Sequence, residues 1–368
     1  MPHLVAIDLP GGEQFVETLR RTWDAGDAAF PIDRRLPAVA RQAVLDAIAP
    51  DRLVDESGLR PLDGRGVDDG DALVVATSGT TGSPRGVVLT RDAVTASAIA
   101  TSRRLGVTPD DTWLACLPLS HVGGLSVVTR ALVTGSRLVV HDGFDAGAVT
   151  SAADRGATLV SLIPTALRRI DARSFRRIVL GGSQPPDHVP DNVVTTYGMT
   201  ETGSGVVYDG RPLDGVDIRI ATDGEIHLRG PMLLRCYRDG RDPIVGGWFA
   251  TGDLGALDAD GSLIVHGRRA EMIITGGENV WPSAVEASLA VHPLISQVAV
   301  GGVPDDEWGQ RVVAWVVPVD ASAPPDLASI RSMVGQSLPM FMAPKEVRLV
   351  DSLPTTSSGK VRRHDLST

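Results

Sequence analysis

Thr77-Ser78-Gly79-Thr80-Thr81-Gly82-Ser83-Pro84-Arg85-Gly86 is the stretch on which the reading of this chain turns. It follows the apolar run Leu73–Ala76 and leads toward a helical stretch, Arg91–Leu105. Glycine lets backbone N–H groups turn toward an anion at close range. The hydroxyls add donors, and Arg85 adds charge with a forked donor geometry. The segment therefore reads as a phosphate cradle. It lacks a Gly-Lys-Ser/Thr run at the spacing of a Walker loop. Taken alone, these residues also fit a polar turn between a strand and a helix.

Outward from this loop the chain alternates. Short β-rich runs at Leu73–Ala76, Trp113–Leu117, Leu138–Val140, Thr158–Leu162, Ile178–Leu180 and Val193–Thr196 are separated by helical stretches at Arg91–Leu105, Val122–Val133, Ala146–Arg155 and Thr165–Ile170. That order predicts α/β layers with largely parallel sheets. Before residue 70 the apolar spacing predicts helices over Glu13–Ala25 and Leu36–Ile48. After Tyr208 the texture changes to short runs, Val216–Ile220, Glu225–Leu228, Met232–Cys236 and Ser262–His266, punctuated by glycine. These predict a small antiparallel β subdomain. From Arg268 onward, helices at Ser283–Ala290 and Leu327–Ser337 mix with strands at Gln297–Val300, Val312–Val317 and Glu346–Leu349. The expected fold is α/β: a large N-terminal domain of layered sheets over residues 1–267 and a small, mobile α+β C-terminal domain over 268–368.

Composition narrows the function. The 368 residues are 43% hydrophobic and 22% charged, an ordinary balance for a globular chain of about two domains. Thirty-five Lys and Arg against 45 Asp and Glu give a net charge of −10, which offers no field for a polyanion, so no nucleic-acid partner is expected. Two cysteines, Cys116 and Cys236, supply neither a zinc spacing nor a disulfide scaffold. No apolar run approaches a membrane span and the first residues lack a signal-peptide pattern, so a cytoplasmic protein is expected.

Further segments follow the loop in order: Tyr197-Gly198-Met199-Thr200-Glu201-Thr202, Trp248 through Asp253 (WFATGD), Gly267-Arg268-Arg269, Gly276-Gly277-Glu278-Asn279-Val280 with Pro282, and Pro354 to Gly359-Lys360. With the loop they resemble the adenylate-forming superfamily of acyl-CoA synthetases, adenylation domains and luciferases, across residues 77–360. The resemblance implies a two-step ligase using ATP, Mg2+ and CoA. A carboxylate attacks the α-phosphate to give acyl-AMP and pyrophosphate; a thiol then displaces AMP.

Carried residue by residue, it implies that Thr77, Ser78, Gly79, Thr80, Thr81, Gly82 and Arg85 bind the β- and γ-phosphates. Lys360 bridges the α-phosphate and the acid, Thr200 donates to the α-phosphate, and Glu201 holds Mg2+. Gly181, Gly182 and Ser183, with Tyr197 and Gly198, form the adenine site. Asp253 accepts from the ribose hydroxyls, and Arg268 reaches the sugar or phosphate. The hinge departs from the common pattern: the position two after the hinge Arg268 is Ala270, followed by Glu271.

Pro118-Leu119-Ser120-His121-Val122-Gly123-Gly124-Leu125 resembles the segment lining the acyl pocket, which places His121 near the carbonyl. Gly203 and Ser204 lie in a run of small residues that leaves room for a ring, with Ser204 the candidate anchor for a second carboxylate. The short front half, GGENVWP and VYDGRPLDGV look most like the o-succinylbenzoate–CoA ligases of menaquinone biosynthesis, of the short actinobacterial type. The alternatives are a general aryl or medium-chain acyl-CoA ligase, a stand-alone adenylation protein that loads a carrier, and a non-catalytic nucleotide-binding protein. Expected partners are the small-molecule acid, ATP and CoA, with a homodimer left open.

Overall fold

The structure is a computed structural model that describes residues 1–77, 84–186, 188–355 and 361–367. The chain divides into two compact units, Met1–Ile218 with His227–Ala250, and Arg219–Ile226 with Thr251–Thr368. Each is described by itself below.

The first unit holds two seven-stranded sheets. One runs in the order Cys236–Tyr237, Arg85–Thr90, Asp71–Thr77, Ala28–Pro31, Leu4–Ile7, Arg52–Asp55, Gly58–Pro61. Its four central strands, Asp71–Thr77 through Arg52–Asp55, are parallel. Four strands before residue 70, Leu4–Ile7, Ala28–Pro31, Arg52–Asp55 and Gly58–Pro61, stand in a region where only helices were expected. Leu4–Ile7 and Ala28–Pro31 are buried at every position. A strand covered on both faces has no alternation for a periodicity argument to find.

A second correction concerns the loop. It leads not into a helix but into the strand Arg85–Thr90, antiparallel to Asp71–Thr77, with Thr77 facing Arg85. It therefore connects a hairpin. The helix Arg91–Leu105 starts only after that strand, where Thr90 caps it by accepting from the Ala93 N–H, and ends at Gly106 with φ +59°.

The second sheet runs Arg211–Pro212, Gly205–Tyr208, Val193–Gly198, Arg177–Leu180, Leu159–Leu162, Thr112–Ala115, Arg137–Val140. Its five strands from Val193–Gly198 to Arg137–Val140 are parallel, so their carboxyl ends emerge along one edge. The helix Arg91–Leu105 packs on the first sheet, Val122–Thr134 packs on the second, and the two helices pack on each other. The unit is thus layered sheet, helix, helix, sheet. In open α/β sheets, ligands sit outside the carboxyl ends of the strands. Here that edge carries His121, Gly181–Ser183 and Tyr197–Glu201.

A five-stranded sheet of Asp217–Ile220, Glu225–Arg229, Trp248–Leu257, Ile244–Val245 and Leu263–Arg268, in which Trp248–Leu257 runs antiparallel to Ile244–Val245 and to Leu263–Arg268, matches the expected small subdomain. Met232–Cys236 is a correction: only Cys236–Tyr237 is strand there. Met232 and Leu234 bury their side chains from a turn, which gives the same apolar alternation without a ladder.

In the second unit, the helices Pro282–Leu289 and Leu327–Gly335 cover one face of a sheet ordered Glu278–Val280, Ile273–Thr275, Gly309–Pro318, Ile295–Asp305. Glu346–Leu349 adds to it in parallel with Gly309–Pro318. Val285, Leu289, Val300, Val312, Ile330 and Val334 form its core. The expected α/β fold with a smaller α+β C-terminal part holds. Among the described residues, no helix is long and apolar enough to cross a membrane.

Candidate active site

Ser78, Gly79, Thr80, Thr81, Gly82 and Lys360 lie outside the described residues. The hairpin that presents the loop is described at both ends: the Thr77 hydroxyl donates to the Arg85 carbonyl at 3.3 Å.

Glu201 sits on a single 3-10 turn, Thr200–Thr202, that follows the strand Val193–Gly198. Its carbonyl accepts from the Leu234 N–H at 2.7 Å. Its Oε1 accepts from the Tyr237 hydroxyl at 3.0 Å. The Tyr237 ring in turn lies 4.9 Å from the Arg85 guanidinium and 4.8 Å from that of Arg241. Burial and the neighbouring Glu201 carboxylate push the Tyr237 phenol up to about 12, so it stays a donor. One tyrosine thus touches both the cation of the loop and the carboxylate expected to hold the metal. The sequence reading missed it.

The adenine-site candidates share one corner of the second sheet. Gly181 and Gly182 continue the strand Arg177–Leu180, which pairs with Val193–Gly198. A Cβ on Gly181 would come within 2.6 Å of Thr196 Oγ1, and Gly182 has φ +88°. Gly198 is equally constrained, with Ser204 O 2.2 Å from any Cβ placed there. Bare backbone at these points is a packing requirement as well as a flat surface for a base. Ser183 is exposed beside them, and Tyr197 is half-buried.

The pocket candidates are tied together by a residue that sequence reasoning also passed over. Arg130, on the helix Val122–Thr134, is 1% exposed. Its Nη2 donates to Ser204 Oγ at 3.1 Å and to Ser126 Oγ at 3.2 Å. Its guanidinium lies 4.8 Å from the Trp113 ring, and its Nη1 is buried without a hydrogen-bond partner among the described residues. Burial pulls the Arg130 pKa below its ordinary value. Arg130, Ser126, Thr129 and Gly203 line a small cavity of about 10 Å³, the space of one water centre. At the start of the same helix, His121 is the N-cap residue. Its Nε2 is 3.5 Å from Asp33 Oδ2 and has no hydrogen-bond partner among the described residues.

In the second unit Asp253 and Arg268 face each other across the strands Trp248–Leu257 and Leu263–Arg268. Asp253 is 5% exposed, and its Oδ1 accepts from Arg268 Nε at 2.8 Å. The two residues expected to reach the ribose therefore begin as an ion pair. Gly252, with φ +74°, donates its N–H to Glu225 Oε1 at 2.8 Å and shapes the approach to Asp253. Arg269 opens the 3-10 turn Arg269–Glu271 and pairs with Asp223 at 3.0 Å and with Glu225 at 3.3 Å. Gly276 and Gly277, both at positive φ, join Ile273–Thr275 to Glu278–Val280 as a two-residue hairpin turn.

The family model described as AMP-binding enzyme matches residues 60–238, and that described as AMP-binding enzyme C-terminal domain matches residues 284–360. A probable 2-succinylbenzoate–CoA ligase of Mycobacterium tuberculosis (strain CDC 1551 / Oshkosh) is 41% identical over 331 residues, 82% of this chain and 85% of that protein. A 2-succinylbenzoate–CoA ligase of Listeria monocytogenes serotype 4b (strain F2365) is 35% identical over 326 residues, 80% of this chain and 69% of that protein. The o-succinylbenzoate CoA synthetase (MenE) of Bacillus subtilis in complex with the acyl-adenylate intermediate OSB-AMP superposes with a TM-score of 0.90 at 28% identity, covering 100% of this chain and 88% of that one. The same enzyme with ATP and magnesium ion gives 0.88, also at 28% identity, covering 99% and 89%. The ordered segments, the two-part match and these relatives lead to one conclusion: this chain is an enzyme of the AMP-binding family.

Proposed function

We propose that the chain is an AMP-forming acid–thiol ligase that activates o-succinylbenzoate with ATP and transfers the acyl group to CoA, as in menaquinone biosynthesis. A substrate carboxylate oxygen bonds to the α-phosphorus as the bond to pyrophosphate breaks. The CoA sulfur then bonds to the acyl carbon as the bond to AMP breaks, and the thiol proton leaves to solvent or base. The chain's task in the first step is to gather anionic oxygens against cations and donors. Residues 77–82 and Arg85 take the β- and γ-phosphates, Thr200 the α-phosphate, and Lys360 the α-phosphate and acid. Only two of the 35 basic residues are lysine, Lys345 and Lys360. Lys360 thus supplies a compact ammonium in a chain whose other cationic side chains are, Lys345 apart, all arginine.

Glu201 fits Mg2+, which supplies charge neutralisation on the phosphates when bound. Its carboxylate is a hard donor, and Tyr237 engages Oε1. Among the described residues no cluster of three His, Cys, Asp or Glu is present, which suits an ion that shares its remaining ligands with phosphate and water. Gly181, Gly182, Ser183, Tyr197 and Gly198 receive adenine, and Asp253 with Arg268 the ribose. His121, Gly203 and Ser204 line the acid site. A pivot at Gly267/Arg268 divides 1–267 from 268–368. The reading includes a cytoplasmic location, and sedimentation distinguishes a monomer from a homodimer.

One observation supports the choice of acid most strongly: a buried guanidinium, Arg130, bonded to Ser204 with an N–H to spare. A monocarboxylic acid has no second anion to justify burying that charge. The test is incubation with ATP, Mg2+, CoA and a panel of acids, with the thioester identified by mass. The reading expects o-succinylbenzoyl-CoA with AMP and pyrophosphate. Faster turnover of aryl or medium-chain monoacids would replace it with a general ligase. CoA-independent loading of a carrier would replace it with an adenylation protein.

A further inference from the structure

The C-terminal tail is fastened on both sides of the segment that contains Lys360. Thr355 and Val361 form an antiparallel bridge, and the Arg362 N–H donates to the Pro354 carbonyl at 2.8 Å. Leu353 and Leu366 are buried together against Ala299, Val313 and Trp315. The chain is thus fixed on either side of residues 356–360, which lie outside the described residues.

Arg363, three residues beyond Lys360, carries the strongest of these attachments. Its Nη2 donates to both oxygens of Glu286 at 2.8 and 2.7 Å, its Nη1 to Glu271 Oε2 at 2.8 Å, and its Nε to the Val300 carbonyl at 3.3 Å. Glu286 is itself fixed, since its Oε1 also accepts from the Val300 N–H at 2.8 Å. One guanidinium therefore joins the tail to the helix Pro282–Leu289, the strand Ile295–Asp305 and the turn Arg269–Glu271. That turn directly follows Arg268, at the proposed pivot. Only the planar fork of arginine can serve three acceptors in these directions; a lysine ammonium cannot.

We propose that Arg363 is a positioning residue for adenylation: it ties the lysine-bearing tail to the turn after Arg268, which sets the reach of the Lys360 ammonium. The inference rests on the role given to Lys360 above and goes beyond it by assigning what holds that residue in register. Displacing a reacting group by about 1 Å can cost on the order of 100-fold in rate. The loss should appear in the step that uses Lys360 and not in the step that does not.

The experiment uses the full chain as wild type, K360A, R363Q, R363K and the double variant K360A/R363Q. Each is assayed separately for acid-dependent pyrophosphate release and for thioester formation from supplied acyl-adenylate and CoA. K360A should lose pyrophosphate release and retain thioester formation. R363Q should lose release by roughly 10- to 100-fold and keep thioester formation within about threefold, with R363K between R363Q and wild type. The double variant should release pyrophosphate no more slowly than K360A, because Arg363 acts only through Lys360.

Equal loss of both half-reactions in R363Q, or a further loss in the double variant, would overturn the proposal in favour of a general structural role. Normal release by R363Q beside a dead K360A would overturn it while leaving the Lys360 reading intact. Normal release by K360A would remove the Lys360 reading itself, and this proposal with it. If R363Q does not fold, R363K and K360A/R363K carry the same comparison.

Discussion

Replacing Arg130 with methionine keeps much of the side chain's bulk and removes its charge. Arg130 is 1% exposed, its guanidinium bridges Ser126 and Ser204, and its buried Nη1 has no hydrogen-bond partner among the described residues. A carboxylate anchored by so desolvated a cation loses about 2–4 kcal/mol when the cation is deleted. That corresponds to roughly 30- to 900-fold in kcat/KM. Stability should change little. The lost hydrogen bonds and the Trp113 contact oppose the relief of burying an incompletely satisfied charge, so Tm should move by less than about 5 °C. The assay is pyrophosphate release with o-succinylbenzoate and with the same keto acid lacking the ring carboxylate. Arg130→Met should suffer the full loss on the first and less than about threefold on the second. Equal losses on both acids would refute the reasoning, because a residue that merely shapes the pocket does not sense the second charge.

Three further outcomes follow from the geometry. Tyr237→Phe removes the donor to Glu201 Oε1; calorimetric titration should show Mg2+–ATP binding weakened by about 10-fold, with an unaltered circular dichroism spectrum. Asp253→Asn takes away the charge held 2.8 Å from Arg268; KM for ATP should rise by roughly 10-fold or more while KM for the acid stays put. Burial tends to raise the Asp111 pKa, but hydrogen bonds from Arg176, Thr108 and Thr158 outweigh it and hold the carboxyl at about 2, against an ordinary 3.8. A lowered folded-state pKa contributes stability that is present above about pH 4 and is lost as pH falls toward 2. Asp111→Asn should therefore flatten the fall in Tm between pH 4 and 2 and cost about 2 kcal/mol at pH 7.

The parts of this molecule that were legible in its sequence are those where chemistry is local. The run 77–86, the Tyr197–Thr202 segment and the Asp253 turn each combine unusual residues within a few positions. What was hidden depends on long-range contacts. The bond from Tyr237 to Glu201 spans 36 residues, and that from Arg130 to Ser204 spans 74. In sequence Arg130 is one charge in the otherwise uncharged helix VGGLSVVTRALVT, nine positions after His121. That isolation is the one signal that could have marked it, because a lone cation on an apolar helix must either snorkel or find a partner. The strands Leu4–Ile7 and Ala28–Pro31 were missed for the opposite reason, since burial on both faces erased their period. The hairpin at Thr77/Arg85 shows that a phosphate-cradle composition does not by itself place a helix after the loop.

The account stands on acid activation preceding thiol transfer. The direct measurement is isotope exchange between labelled pyrophosphate and ATP, in the presence of Mg2+ and without CoA. Exchange should appear when o-succinylbenzoate is added, vanish without an acid, and fall sharply in Lys360→Ala. Exchange that ignores the acid, or that needs CoA to begin, would contradict an acyl-adenylate intermediate formed at this site.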